Sequence, residues 1–150
     1  MEFEGLDEAA LKKLAARLAD CLEPGDVVVL GGEVGSGKTT FVRAAARSLG
    51  VEGRVTSPTY QLARGYRGTV GGGKVAINHL DLYRLEGLQD RDVLELEDYL
   101  EPEAITFVEW APNDALGAIE DPTLVLISHR TPTTRQVSLT GPAVRRMPRC

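Results

Sequence analysis

The chain is expected to fold as an α/β protein: a three-layer sandwich with a mostly parallel central sheet and antiparallel hairpin additions. Three observations point there. The short apolar runs VVVL, from residue 27, and AITFVEW, from residue 104, are rich in β-branched or aromatic residues. That is the pattern of strands buried on both faces. Stretches with apolar residues at helical spacing alternate with these runs along the chain, as parallel βα units do. Finally, YQLARGY and KVAINHL alternate around RGTVGGG, which reads as a hairpin with a flexible turn.

In chain order, LDEAALKKLAARLADCL places Leu6, Ala10, Leu14 and Leu18 on one helical face, with Asp7 as its N-cap. EPGD breaks this helix and the VVVL strand follows. Residues 31–37 form a glycine-rich loop, then KTTFVRAAARSLG resumes helical spacing and stops at Gly50, a C′ glycine. RVTSPT is a strand tip and loop leading to the hairpin. LQDRDVLELEDYLE reads as an acidic helix ended by Pro102. PTLVLISHR and RQVSLTG, separated by TPTT, form a closing antiparallel pair, and the basic tail over residues 143–150 is expected to fray. With no internal repeat and no linker, residues 1–150 are read as one domain.

Composition narrows the function classes. The chain carries 43% hydrophobic and 26% charged residues, ordinary for a globular protein. No run approaches a membrane span and no stretch has signal-peptide layout, so a soluble cytoplasmic protein without membrane contact is expected. Only Cys21 and Cys150 are present, which argues against a disulfide framework or a cysteine zinc site. The two are read as a helix packing residue and a stray tail thiol. A net charge of −5 opposes a protein that grips nucleic acid by itself. The charge is uneven: residues 81–121 hold 13 acids and two arginines, whereas residues 53–80 hold four basic residues and no acid. The acidic block is read as a solvated helical face, and the polarity also suits docking on a charged partner.

GEVGSGKT, from Gly32 to Thr39, matches G-x-x-x-x-G-K-[ST] between an expected strand and an expected helix, the context that the motif requires. Its glycines let backbone amides turn inward as an anion nest at a helix N-terminus. Lys38 would reach the β- and γ-phosphates of a nucleoside triphosphate and the Thr39 hydroxyl would coordinate Mg²⁺. The fold class narrows accordingly to a P-loop NTPase-like sandwich. Mg²⁺ beside Thr39 needs a carboxylate from a neighbouring strand tip, and two acids stand just beyond apolar runs: Glu109 and Asp81.

Asn78-His79-Leu80-Asp81 is one residue from the N-K-x-D guanine signature, yet the D-x-x-G of a GTPase is missing: no aspartate lies between Asp26 and Asp81. A small-molecule kinase also uses a phosphate loop. It needs substrate ligands after the second strand and an arginine-bearing lid, and only Thr56-Ser57-Pro58-Thr59 occurs there. That kinase, and a nucleotide-gated binding module with incidental hydrolysis, stand as the alternatives.

Together GGEVGSGKTT, VTSPTY, HLDLYRL and FVEWA resemble the TsaE family, the bacterial ATPase that assists synthesis of threonylcarbamoyladenosine in tRNA. The resemblance spans about residues 6–141. It implies that Gly32, Glu33, Val34, Gly35, Ser36, Gly37, Lys38, Thr39 and Thr40 bind ATP, and that Thr39 and Glu109 hold Mg²⁺. Lys38, Asp81, Glu109 and Thr59 would form the catalytic set, with Asp81 ordering water or metal by the γ-phosphate and Thr59 in a switch-like TSPT loop. His79, Tyr83, Arg84 and Trp110 would fix that architecture or meet a partner, and Arg135 would touch the nucleotide. The resemblance further implies weak ATP hydrolysis alone, action with the TsaD and TsaB proteins, and tRNA contact only through that complex. Two departures stand out. The family usually has Asp-Leu-Gly-Ala where this chain has Glu33-Val34-Gly35-Ser36, and where it often has a threonine early in the first helix this chain reads DEAAL, without that hydroxyl.

Overall fold

The computed structural model describes residues 1–33, 35–53, 55, 63–81, 100–109 and 119–150. Its elements are β1 (Glu2–Leu6), α1 (Glu8–Ala19), β2 (Val27–Gly32), α2 (Lys38–Ser48), β3 (Ala63–Val70), β4 (Gly73–Asp81), β5 (Ala104–Glu109), β6 (Thr123–Thr131), β7 (Thr134–Thr140) and α3 (Pro142–Arg146), then a 3₁₀ turn, Met147–Arg149. Residues 88–99 of the expected acidic helix and the TSPT loop fall outside the described residues; Leu100 and Glu101, expected as its end, are not helical.

The strands form one seven-stranded sheet in the order β1-β7-β6-β2-β5-β4-β3. Its centre, β6-β2-β5-β4, is parallel, while β1–β7, β6–β7 and β3–β4 pair antiparallel. The sheet is therefore mixed. It is less parallel than expected because β1 was not anticipated and adds a strand to β7.

α1 begins as its sequence dictates: the Asp7 carboxylate accepts the Ala10 amide at 2.8 Å, satisfying a donor that the first turn leaves orphaned. Its buried face runs through Leu11, Leu14 and Leu18, with Ala10 only half-buried. α2 ends at Ser48, and Gly50 follows at φ +81°, the left-handed position that glycine adopts freely. The β3–β4 turn is shorter than RGTVGGG suggested. Val70 pairs with Gly73, so Gly71 and Gly72 alone make it, both at positive φ, as a two-residue hairpin turn demands.

Alternate residues of the central strands, among them Leu30, Ile77, Phe107 and Ile127, meet Phe41 and Leu18 of the helices in one apolar cluster. Side chains of opposite parity, Val29, Thr106 and Val108, are buried as well, so both faces of the parallel centre are covered.

Two expectations about the C-terminus are corrected. Residues 143–150 do not fray: Ala143, Val144 and Met147 are buried. Arg146 holds Asp26 through both guanidinium nitrogens, at 2.6 and 3.1 Å, and donates to the Cys21 carbonyl at 2.8 Å. Nor are the cysteines separate thiols, for Cys21 and Cys150 form a disulfide with Cα atoms 5.5 Å apart, a normal span. Docking of α3 and the 3₁₀ turn against the end of α1 brings together two residues separated by 129 positions.

Candidate functional site

The loop after β2 is shaped by its glycines. Gly32, Gly35 and Gly37 all have positive φ, at +145°, +77° and +112°, and Gly37 is the N-cap of α2 without any side-chain cap. A loop of this kind leaves the first helical amides pointing outward at the positive end of the helix dipole, where an anion is favoured. Gly32 is further constrained by space, since a Cβ there would lie 2.2 Å from the Ile127 carbonyl oxygen.

Lys38 opens α2 and is almost fully buried, with its ammonium donating to the Gly32 and Glu33 carbonyls at 2.8 and 3.0 Å. Burial holds its pKa below the usual lysine value, while the charges of Glu109 and Asp81 pull it back up. These three groups thus sense one another electrostatically. Asp81 and Glu109 are opposite one another in the parallel β4–β5 register, which sets both acids at neighbouring strand exits.

Thr39 donates its hydroxyl to Glu109 Oε1 at 3.2 Å, and His79 Nε2 lies 2.5 Å from the other oxygen, Oε2. Both His79 and Glu109 are buried. Lys38, Thr39, Asp81 and Glu109, separated by up to 71 positions, are therefore gathered beside one glycine loop. Among the described residues no three His, Cys, Asp or Glu side chains gather as a metal cage. A hydroxyl and a carboxylate oxygen are the hard donors with which a protein holds Mg²⁺ when phosphates and water supply the rest, so the donor set fits that ion.

A cleft of about 500 Å³ adjoins the cradle. Gly35, Ser36, Gly37 and Thr40 line one side of it, Glu8 and Leu11 of α1 with its cap Asp7 another. Pro132 and Thr133 of the β6–β7 turn and Arg135 at the start of β7 close it. Arg135 Nε donates to the Ser36 carbonyl at 2.9 Å, tying that turn to the loop. The DEAAL segment, which lacks the family's early-helix threonine, thus forms a cleft wall. Asp7, Leu11, Pro132 and Thr133 carry no motif. Only the position of Asp7 as a helix cap hinted at its place.

Val34, Thr59, Tyr83, Arg84 and Trp110 lie outside the described residues. Glu33 and Thr40 are described, the first offering its carbonyl to Lys38 and the second lining the cleft. Among the described residues no helix is long and apolar enough to cross a membrane.

Comparison with known proteins gives the family and the fold. The chain is similar to a TsaE protein of Streptomyces coelicolor, 38% identical over 87% of this chain and 90% of the relative. It is 37% identical to one of Bacillus subtilis over 68% of this chain and 59% of that protein. Both are named tRNA threonylcarbamoyladenosine biosynthesis protein TsaE. The crystal structure of Bacillus subtilis YdiB has the same fold, with a TM-score of 0.73 over 99% of this chain and 94% of its own at 23% identity. The model of the family described as threonylcarbamoyl adenosine biosynthesis protein TsaE matches residues 6–137, and on that match the chain belongs to the TsaE family.

Proposed function

We propose that this chain is a Mg²⁺-dependent ATPase that supports threonylcarbamoyladenosine modification of tRNA, acting with TsaD and TsaB in the cytoplasm and meeting tRNA through that complex. The observation that carries the reading is the convergence of Lys38, Thr39, Asp81 and Glu109 on one glycine loop. On this reading residues 1–150 form one P-loop NTPase-like domain of three layers.

The chemistry follows from what each group can offer. Amides of Gly35 and Gly37, just before α2, hold phosphate oxygens without a compensating countercharge of their own, while the Ser36 amide donates to the Glu33 carbonyl at 3.0 Å and shapes the loop. Lys38, already desolvated, gives its proton-bearing ammonium to the β–γ region, exchanging the loop carbonyls for phosphate. Thr39 and Glu109 would hold Mg²⁺, which when bound neutralises charge on the β- and γ-phosphates. Asp81, at the next strand exit, orients the attacking water, with Thr59 closing the γ-phosphate side in a switch-like loop. Arg135 and the α1 wall take the rest of the nucleotide, and the acidic Asp7 and Glu8 disfavour phosphate there, which fixes the direction of binding. Hydrolysis in such a site works as a conformational step that resets a partner complex.

The test is reconstitution of tRNA threonylcarbamoylation with and without this protein while ATP consumption is followed. The expected outcome is repeated turnover only when the wild-type protein is present, with ATP spent in step. Unchanged turnover with a variant that binds ATP but cannot hydrolyse it would overturn the ATPase role and leave a nucleotide-gated binding module.

A further inference from the structure

We infer that His79 is a positioning residue for the metal half of the site: by donating from Nε2 to Glu109 Oε2, it turns Oε1 towards Thr39 and the Mg²⁺ position. This rests on the reading that Glu109 holds the ion. His79 and Glu109 come from neighbouring parallel strands, with His79 paired to Phe107 and Asp81 to Glu109. His79 therefore reaches Glu109 diagonally, from two residues before its register partner and on the same face of the sheet.

An ionised carboxylate only accepts hydrogen bonds, so the Nε2 that faces Glu109 carries a proton and is the donor. The ring's Nδ1 is buried and has no hydrogen-bond partner among the described residues. A histidine kept only to fill the core would normally have both nitrogens satisfied. Here, among the described residues, Nδ1 has no partner while Nε2 makes a 2.5 Å contact with Glu109, whose other oxygen faces the phosphate-loop helix. The arrangement favours Glu109 at the expense of the ring.

The consequence lies in the division of Glu109's two oxygens. Oε2 faces His79 and Oε1 faces Thr39. Without a donor at Oε2 the carboxylate could rotate about its terminal torsion, which has broad wells, and present either edge or neither. Donors behind a ligating carboxylate commonly set metal affinity in this way.

Two variants separate positioning from packing. His79→Leu fills similar volume but cannot donate, whereas His79→Gln can place an amide N–H where Nε2 was. A fluorescent ATP analogue is titrated in EDTA, then with increasing Mg²⁺, and the Mg²⁺ half-saturation is read together with the melting temperature. His79→Leu should raise that half-saturation about tenfold or more while affinity in EDTA stays within about threefold. His79→Gln should recover most of the loss. A His79→Leu half-saturation matching wild type, or a His79→Gln variant as impaired as His79→Leu, overturns the inference. Wild-type protein and Glu109→Gln in the same titration test the metal reading itself. If wild type shows no Mg²⁺ response, the metal assignment fails and the inference with it. If Glu109→Gln loses the response and His79→Leu keeps it, the inference alone fails. Should His79→Leu not fold, His79→Asn, too short to reach Glu109, replaces it with the same two outcomes.

Discussion

Reducing the Cys21–Cys150 disulfide should cost the protein a measurable share of its stability while leaving its fold intact. The bond joins residues 129 positions apart, and for a loop of that size the chain-entropy model gives about 5 kcal/mol. Native disulfides typically deliver about 2–4 kcal/mol, so about 3 kcal/mol is the working figure. The native side of the balance changes little, because Arg146 still grips Asp26 and the buried Val144 and Met147 still hold the tail. At roughly 2–4 °C per kcal/mol for a domain of this size, the melting temperature should fall by about 6–12 °C. Protein purified without reductant is melted with and without a phosphine reductant, and Cys150→Ser is melted alongside. The variant should match the reduced wild type and ignore the reductant. A shift under about 2 °C, or alkylation that finds two free thiols in the unreduced protein, would refute the reasoning.

Other outcomes follow from the site. Lys38→Ala should weaken nucleotide binding by about 10- to 150-fold, since a charge-assisted bond to phosphate is worth about 1.5–3 kcal/mol; a fluorescent-nucleotide titration checks it, and undiminished affinity rules out the phosphate-loop assignment. Asp81→Ala and Glu109→Ala should each lower the ATP hydrolysis rate by about 100-fold with a smaller loss of binding. Normal turnover in both would remove the water and metal roles. Gly32→Ala should destabilise by about 3–5 kcal/mol, combining strained φ with a clash where a Cβ would sit 2.2 Å from the Ile127 oxygen; thermal unfolding reads it, and a wild-type melting temperature contradicts it.

Much of the fold was legible because its signals are local. VVVL and AITFVEW carry the composition of buried strands, and Gly50 marks the end of α2 by its own backbone freedom. That a strand-exit carboxylate would meet Thr39 was also legible, since ligands collect at strand exits, but the residues left Glu109 and Asp81 both open and only the family resemblance singled out Glu109, which pairs with Thr39 across 70 positions. What escaped depends on partners distant in sequence. β1 is five residues long, too short for alternation to show, and its existence depends on β7. The tail looked frayed because its arginines suggest solvent, yet Arg146 is used up on Asp26. The cysteines lacked any spacing rule, and the cleft walls at Leu11 and Pro132 are ordinary residues made relevant by what they face.

The central position of β2 has a consequence for how the protein is made. Its neighbours on both sides, β5 and β6, are encoded far downstream, so the glycine loop leaves the ribosome without a sheet around it. Glu109 follows Thr39 by 70 residues and Arg135 follows later still. Until those segments arrive, VVVL is a bare apolar strand with two open edges, the kind of surface on which nascent chains associate wrongly. ATP therefore cannot template early folding. A site that depends on sequence-distant closure is complete only when nearly the whole chain has been synthesised, which makes nucleotide binding a report on finished molecules.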